Sequence, residues 1–468
     1  MSTRFDIVSV FPEFFEVLNL SLLGKAQERG IVEIRSHDLR EWTNDPHRTV
    51  DDTPAGGGAG MVMRPDIWGK ALDELIGEAD GSSAGNDDDA TLASATVLAI
   101  PTPSGRQLTQ RECERLAASA QHIVIACGRY EGIDSRVAEH YASRGVEVFE
   151  YSLGDYVLNG GEVAAVALIE AVGRLLPGMV GNPESLVEES HGAAGLLEYP
   201  VFTRPSEWKG LPIPEVLTSG NHGAVARWRR DRAIAKTAAR RPDMIRSLDA
   251  AQLDKKDRAT LASHGYLLRA GLDHPVPVHA RLASSDDVVE LSALAARTFP
   301  DAAPAELGEH AIAIFIAENL SDEAFAGYLA DPRWVCVILE TENGEFIGYT
   351  LSEVPEGGDV AGEGAPSSAM IDGRERKSPL VYLSKYYIDR PWRGTGASLL
   401  LWEATRELLA ERVNEWENPF VYLGTNAKNR RAIKAYKKLG FVKVGTRHFM
   451  VGDQDNLDVV LARELRVP

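Results

Sequence analysis

Cysteine is scarce in this chain, with Cys113, Cys127 and Cys336 the only three among 468 residues. An odd count without metal-ligand spacing excludes a disulfide framework and a cysteine-bound zinc, and leaves all three as small core residues. No cationic, apolar leader stands at the start and no apolar run is long enough to span a bilayer. The chain is therefore expected to be cytoplasmic, with no membrane partner. Positive charge is also in deficit: 50 Lys and Arg face 69 Asp and Glu, a formal net charge of -19. Taken globally, that balance counts against a nucleic-acid partner, because phosphate binding relies on Lys and Arg. The triplet Gly56-Gly57-Gly58 is followed by no Gly-Lys-Ser/Thr, which excludes a Walker phosphate cradle.

What is present is unevenly distributed. A hydrophobic content of 44% over this length supports real cores in two or three domains. Basic residues gather between Arg227 and Arg241, a helical stretch containing Trp228 whose charges cover much of its circumference. Such a stretch is an electrostatic footprint for an RNA backbone, and it equally fits a solvated helix face. Upstream, strand-like runs at Phe5 to Phe11, Val32 to Ser36, Ala95 to Ile100 and His122 to Cys127 alternate with helical ones, the first from Pro12 to about Arg29. That alternation predicts an α/β domain with a largely parallel sheet, whose ligands gather at strand carboxyl ends. Ala79 to Thr91, rich in Gly, Ser and Asp, reads as a surface insertion.

Two glycine-bracketed loops stand out. Tyr151-Ser-Leu-Gly-Asp-Tyr-Val-Leu-Asn-Gly-Gly-Glu162 joins a turn, an apolar step and a glycine pair to a helix. Gly154, Gly160 and Gly161 permit positive φ and close approach, while Tyr156, Val157 and Leu158 offer an apolar wall to something flat, such as a purine. Gly128-Arg-Tyr-Glu-Gly-Ile-Asp134 is the second loop, directly after a strand of the buried type. Together they imply one ligand site.

With these loops, further segments match in order and spacing: Phe5-Asp-Ile-Val-Ser-Val-Phe-Pro12, Asp51-Asp52, Gly56 to Met63, Gly195-Leu-Leu, Tyr199-Pro, Thr203-Arg-Pro205, Pro214-Glu-Val-Leu, Ser219-Gly220 and Trp228-Arg229. Residues 1 to about 245 resemble the TrmD family of tRNA (guanine-N1)-methyltransferases, of the SPOUT class. The resemblance implies a trefoil-knotted methyltransferase domain over 1–175, and over 176–245 an interdomain segment with a helical tRNA-binding subdomain. It also implies an obligate homodimer with shared active sites, the tRNA anticodon stem-loop as partner, and the guanosine just 3′ of the anticodon as target. S-adenosylmethionine would lie against Ile100, Pro101, Thr102, Pro103, Gly128, Tyr130, Glu131, Ser152, Leu153, Gly154, Tyr156, Leu158, Gly160 and Gly161. Ala55 and Ala59 depart from the family's usual Tyr and Pro, and Ile100-Pro101-Thr102 from its Tyr-Leu-Ser.

Guanine N1 carries a proton at neutral pH, so methylation there needs a base, and a cation or donor where negative charge develops toward O6. By resemblance, Arg174 matches the family's essential arginine and Glu189 its base, where aspartate is usual; Glu188 is the rival if the register slips by one. Asp155 is either a ligand to the guanine or a turn cap. The family also implies a magnesium requirement, which no ligand spacing here displays.

After a linker over 246–275, a second domain is expected over 276–468. The segment reads as strand Val278 to Leu282, helices Asp286 to Thr298 and Pro304 to Asn319, then strands Trp334 to Thr341 and Glu345 to Val354 about an Asn343-Gly344 turn. A long loop, Pro355 to Pro379, precedes strand Leu380 to Ile388. Arg393-Gly394-Thr395-Gly396-Ala397-Ser398 then opens helix Leu399 to Glu411, and amides at a helix N-terminus bind pyrophosphate. With Asn429, Ala432, Tyr436 and Gly440-Phe441 following at the right separation, this domain resembles the GNAT acetyltransferases, an α+β fold with a mixed sheet. The resemblance implies acetyl-CoA on residues 393–398 and Asn429, Tyr386 to Ile388 along the pantetheine arm, and Tyr436 as the acid for the departing thiolate. The acetyl acceptor is unknown, and a non-catalytic acetyl-CoA-binding module is the alternative.

Overall fold

The computed structural model describes residues 2–79, 96–180, 190–192, 194–303, 308–355, 368–371, 374–377, 380–416, 419–451 and 454–465. The insertion at 80–91 and both candidate bases, Glu188 and Glu189, lie outside them. Contacts divide the chain into two units, Met1–Ala194 and Gly195–Pro468.

The first unit is built on strands β1 (Thr3–Ser9), β2 (Val32–Asp38), β3 (Thr96–Gln107), β4 (His122–Ala126) and β5 (Glu147–Ser152). They form one sheet in the order β2-β1-β4-β3-β5, every pair parallel. Helices α1 (Ser21–Glu28), α2 (Pro65–Ala79), α3 (Gln110–Ser119), α4 (Arg136–Ser143) and α5 (Glu162–Gly173) belong to the same unit. Alternate residues of the strands feed two cores. Phe5, Ile7, Ile123 and Ile125 pack with Leu116, Leu168 and Ile169, while Val8, Val124 and Ala126 pack with Trp68, Leu72 and Tyr141. Burial on both faces explains the near-continuous apolar character of β4. Each fully buried aliphatic side chain contributes about 1.5–3 kcal/mol.

Two expectations need correcting. The helix from Pro12 to about Arg29 is a 3-10 segment, Pro12–Asn19, followed by α1, with Leu20 extended between them and Ser21 at φ 57°. The break lets Phe15 and Leu18 from one piece and Leu23 and Ala26 from the other enter the same core. The turn after Ile100 is an excursion inside a longer strand, because Pro101 and Arg106 both register against Tyr151. Gly105 allows it, since a Cβ there would stand 2.5 Å from the Tyr151 amide nitrogen.

In the second unit, helix α6 (His222–Arg240) packs on α7 (Lys255–Ser263) around Ile234, Ile245, Leu253 and Leu261. Strands β6 (Tyr266–Leu267), β7 (Val276–Leu282), β8 (Trp334–Thr341), β9 (Phe346–Glu353), β10 (Leu380–Ile388), β11 (Phe420–Asn426), β12 (Val442–Val451) and β13 (Gln454–Glu464) form a mixed sheet, ordered β6-β7-β8-β9-β10-β11-β13-β12. Residues 246–275 therefore contribute helix α7 and the edge strand β6 of this sheet. Helices α8 (Val288–Thr298), α9 (Glu309–Asn319), α10 (Asp322–Ala330), α11 (Ala397–Arg412) and α12 (Arg430–Lys438) complete it. The sequence reading missed α10, whose Ser321 cap accepts from the Ala324 amide. Within the expected loop 355–379, Ser368–Ile371 and Arg374–Lys377 pair as an antiparallel ribbon.

Strand β10 pairs with β11 in parallel only from Leu380 to Tyr382, against Phe420 to Tyr422. Beyond Tyr382 the two separate, and a wedge opens between them. A bulge at Ser384 resets the register on β9, where Ser352 faces Leu383 and Leu351 faces Lys385.

Candidate functional site

In the first unit, three loops meet at the carboxyl ends of β3, β4 and β5. The Gly161 amide donates to the Gly128 carbonyl at 2.9 Å, and Arg129 and Gly160 form an antiparallel bridge, which joins the two glycine loops. The Glu131 amide donates to Met61 at 3.0 Å and the Met63 amide to Gly132 at 2.9 Å, which adds the loop following Gly56–Gly60. Glycine is required where these segments touch. A Cβ on Gly161 would lie 2.9 Å from Cys127 Cα and 3.1 Å from Pro101 Cγ, and one on Gly60 would lie 2.3 Å from Glu131 Oε1. Ile100 and Pro101, Gly128 and Glu131, and Gly160 and Gly161 are thereby brought together, and Ser152 holds the third strand end through its hydroxyl, which donates to Gly154 at 2.9 Å. Tyr130, Tyr156, Val157 and Leu158 are exposed around this cradle.

Asp155 is exposed, and among the described residues its carboxylate caps no turn; the local turn is closed by the Tyr156 amide donating to Gly154 at 2.8 Å. Arg174 is half-buried and caps the C-terminus of α5, its amide donating to Glu170 at 3.2 Å. Among the described residues no three of His, Cys, Asp and Glu gather as a metal cage.

Sequence reasoning missed the element that locks the loops. Glu162, only 1% exposed, accepts from Ser9 Oγ at 2.7 Å and from Arg129 Nε at 3.0 Å. Arg129 also stacks over Phe11 at 4.7 Å. Its signal was a glutamate directly after the glycine pair, at the first position of a helix that buries its surroundings.

The basic helix is real, but part of its charge is spent internally. Arg227 pairs with Asp231 at 2.6 Å and Asp257 at 2.9 Å, Arg230 with Asp257 at 3.1 Å, and Arg241 with Asp243 at 2.6 Å. Lys236 donates to the Glu198 carbonyl at 2.8 Å, and Arg229 and Arg232 lie over Tyr199 and Trp228 at 4.9 and 5.7 Å. Both rings are half-buried, so these two guanidinium groups sit against aromatic surface at the edge of the helix.

In the C-terminal sheet, Gly396 takes φ 106° at the N-cap of α11, and a Cβ there would sit 2.5 Å from Ala262 Cβ. The loop thus offers main chain. The Arg393 guanidinium is engaged with the Ile388 carbonyl at 2.8 Å and Asp301 at 2.7 Å. The Asn429 side chain accepts from the Ala432 amide at 3.0 Å and so caps α12. Tyr436, on α12, reaches the wedge: its ring lies 5.9 Å from that of Tyr386 and 5.8 Å from that of Phe441. Burial, then the neighbouring Tyr387 and Tyr382, push its hydroxyl well above the usual phenol range, so it holds its proton at neutral pH. Tyr386, beside it, donates to the Ser398 carbonyl.

A parallel sheet with glycine-lined loops at its strand ends, ahead of a mixed sheet that opens beside a glycine turn, defines an α/β ligand-binding unit joined to an acyltransferase-type one. Residues 3–247 match the family model described as tRNA (Guanine-1)-methyltransferase TrmD, and residues 297–441 match that of the acetyltransferase (GNAT) family. The chain belongs to the TrmD family and carries a GNAT domain at its C-terminal end. Relatives named tRNA (guanine-N(1)-)-methyltransferase include those of Bifidobacterium longum subsp. infantis, 53% identical over 58% of this chain and 98% of the relative, and Bifidobacterium animalis subsp. lactis, 55% identical over 58% and 97%. The relative from Cutibacterium acnes is 57% identical over 52% of this chain and 97% of its own length. These relatives are matched almost end to end while leaving over two-fifths of this chain uncovered. No helix among the described residues is long and apolar enough to cross a membrane.

Proposed function

We propose that this protein methylates N1 of the guanosine immediately 3′ of the tRNA anticodon, with S-adenosylmethionine as donor, and that its C-terminal domain transfers acetyl from acetyl-CoA to an acceptor. The observation that carries the first part is the junction of three loops at Gly161, Gly128 and Glu131, within a chain whose residues 3–247 match the methyltransferase family. The donor supplies an electrophilic methyl group on a sulfonium. The main chain of residues 100–103, 128–131 and 152–161 would hold it, with Glu131 toward the ribose or amino group and Tyr156 and Leu158 against the purine.

The base role falls to Glu189. Its carboxylate takes the N1 proton as the N1–carbon bond forms and the carbon–sulfur bond breaks, and Arg174 stabilises the charge developing toward O6. The reading carries a knotted SPOUT fold and a homodimer with it. Phe14, Val17, Leu20 and Leu22, all exposed, support the dimer as an unpaired apolar surface. Glu189→Ala should abolish methylation with donor binding retained; unchanged single-turnover methylation of tRNA by that variant refutes the assignment.

For the C-terminal domain, the wedge between β10 and β11 beside Gly396 supports acetyl-CoA binding, and the presence of Tyr436 at that wedge together with the intact glycine loop supports turnover over a merely sensing role. The amides of residues 394–398 would take the pyrophosphate and β10 the pantetheine arm. Tyr436 protonates the leaving thiolate. Acetyl-CoA titration of the full chain tests binding, and thiol release in the presence of amines tests turnover.

A further inference from the structure

Positive charge returns late in the chain, on a helix face that neither reaction above uses. From Asn418 to Gly452 the sequence holds eight Lys and Arg and no Asp or Glu, in a chain whose acids outnumber its bases 69 to 50. Five of the eight, Arg430, Arg431, Lys434, Lys437 and Lys438, stand on the nine residues of α12, and all five are exposed. With about 100° between successive residues they fall within an arc of about 120°, a stripe that runs about 12 Å along the helix axis. Ile433 and Tyr436 lie on the other side and pack into the core with Trp402 and Phe441. The fold therefore fixes which face of α12 is offered to solvent.

That charge is uncompensated. Among the described residues no carboxylate stands within ion-pair distance of any of the five side chains. On α6, by contrast, Arg227 and Arg230 are matched by Asp231 and Asp257. Like charges repel between Arg430 and Lys434 and between Lys434 and Lys438, each pair one turn apart, and between Arg431 and Lys434, three residues apart. The first turn holds no acid, so its two arginines meet the positive end of the helix dipole unopposed. An anion laid along the stripe relieves both repulsions.

The make-up of the stripe selects the kind of anion. Protein–protein interfaces are depleted in Lys, and a lipid surface takes an amphipathic helix whose apolar face is free, which that of α12 is not. The stripe carries no aromatic side chain on which an unpaired base could stack, so it suits the phosphates of a duplex over a single strand. We propose that α12 is a second RNA-docking surface of this protein, holding the phosphate backbone of a tRNA stem without regard to its base sequence. The proposal rests on the tRNA reading above and adds to α6 a contact supplied by the acetyltransferase-type sheet. Such a contact raises affinity for the tRNA and leaves the methyl-transfer step as it is, because phosphate contacts position a nucleic acid and carry no chemistry.

The test uses the full chain and an unmodified tRNA transcript, with binding measured across a salt series. Arg431→Gln, Lys434→Gln and Lys438→Gln combined should lower the slope of log affinity against log salt by about 2–3 and weaken binding about 100-fold at about 0.1 M salt. Lys434→Arg with Lys438→Arg, which keeps the charge, should match the parent. In single-turnover methylation the triple variant should need more tRNA to reach half its maximal rate, with that maximal rate and the acetyl-CoA affinity unchanged. The proposal is overturned if the triple variant binds tRNA within threefold of the parent and with the same salt slope. It is also overturned if acetyl-CoA affinity falls instead, which would make the stripe a cofactor surface, or if the lost binding is to phosphatidylserine vesicles and not to tRNA. A parent that binds and methylates tRNA beside a triple variant that matches it removes this proposal alone; a parent that binds no tRNA removes the tRNA reading as well.

Discussion

Exchanging Glu162 for glutamine keeps the volume of the side chain and removes the charge that ties the two glycine loops to each other and to the end of β1. In the parent, one carboxylate oxygen accepts from Ser9 at 2.7 Å and from Arg129 at 3.0 Å. Breaking a fully buried ion pair costs about 3–5 kcal/mol, and a hydrogen bond to a charged group is worth about 1.5–3. The Arg129 side chain is 24% exposed and can turn toward water, so the figure for a charged hydrogen bond, about 2–3 kcal/mol, applies and not that for a fully buried ion pair. Since Arg129 lies in one glycine loop that the donor would touch and Glu162 directly follows the other, the loss should appear in donor affinity. A weakening of about 30- to 150-fold corresponds to that energy. Calorimetric titration of the full chain with S-adenosylmethionine reads it directly, and Ser9→Ala, which removes one hydrogen bond, should weaken binding only about fivefold. A dissociation constant for Glu162→Gln within threefold of the parent would show that the loops are set without this contact.

Other consequences follow from the same geometry. Gly396→Glu should abolish acetyl-CoA binding, because φ 106° and the 2.5 Å approach to Ala262 admit no side chain; it should leave S-adenosylmethionine affinity unchanged in the same titrations. Lys385, buried on β10 over Tyr328, has its amine lowered to about 8 by burial. A depressed pKa means that its contribution to stability is complete above the unfolded value near 10.5 and is lost as pH falls toward 8. Urea unfolding across that window should show a slope of up to about 1.4 kcal/mol per pH unit that disappears in Lys385→Met. On the basic helix, Arg240→Ala should reduce the slope of log affinity for tRNA against log salt by about 0.7–0.9, whereas Arg227→Ala, already neutralised by Asp231 and Asp257, should change it little.

Much of this was readable in the sequence because local chemistry decided it. The glycine pair at 160 and 161 and the loop at 128–134 announced a backbone-lined site, and close packing of Gly161 on Cys127 and Pro101 is the reason glycine stands there. Strand β10 was legible to the residue, since its apolar run sits between a polar loop and a helix-opening glycine turn. The break at Leu20 was not legible, because the apolar spacing of Phe15, Leu18, Leu23 and Ala26 suits one continuous helix and only tertiary packing reveals the kink. The same applies to the arginines of α6, which looked like a phosphate surface until Asp257 on α7 was seen to pair with two of them. Glu162 escaped notice for a related reason: an isolated carboxylate in sequence reads as surface, and its burial depends on segments that are distant along the chain.

The most direct test of the central claim is methyl transfer to an unmodified tRNA transcript carrying guanosine 3′ of the anticodon. With labelled S-adenosylmethionine under single-turnover conditions, the full-length protein should place one methyl group on N1 of that base, as read by mass spectrometry of the nucleosides. A transcript that is bound normally yet recovered without 1-methylguanosine would contradict the account.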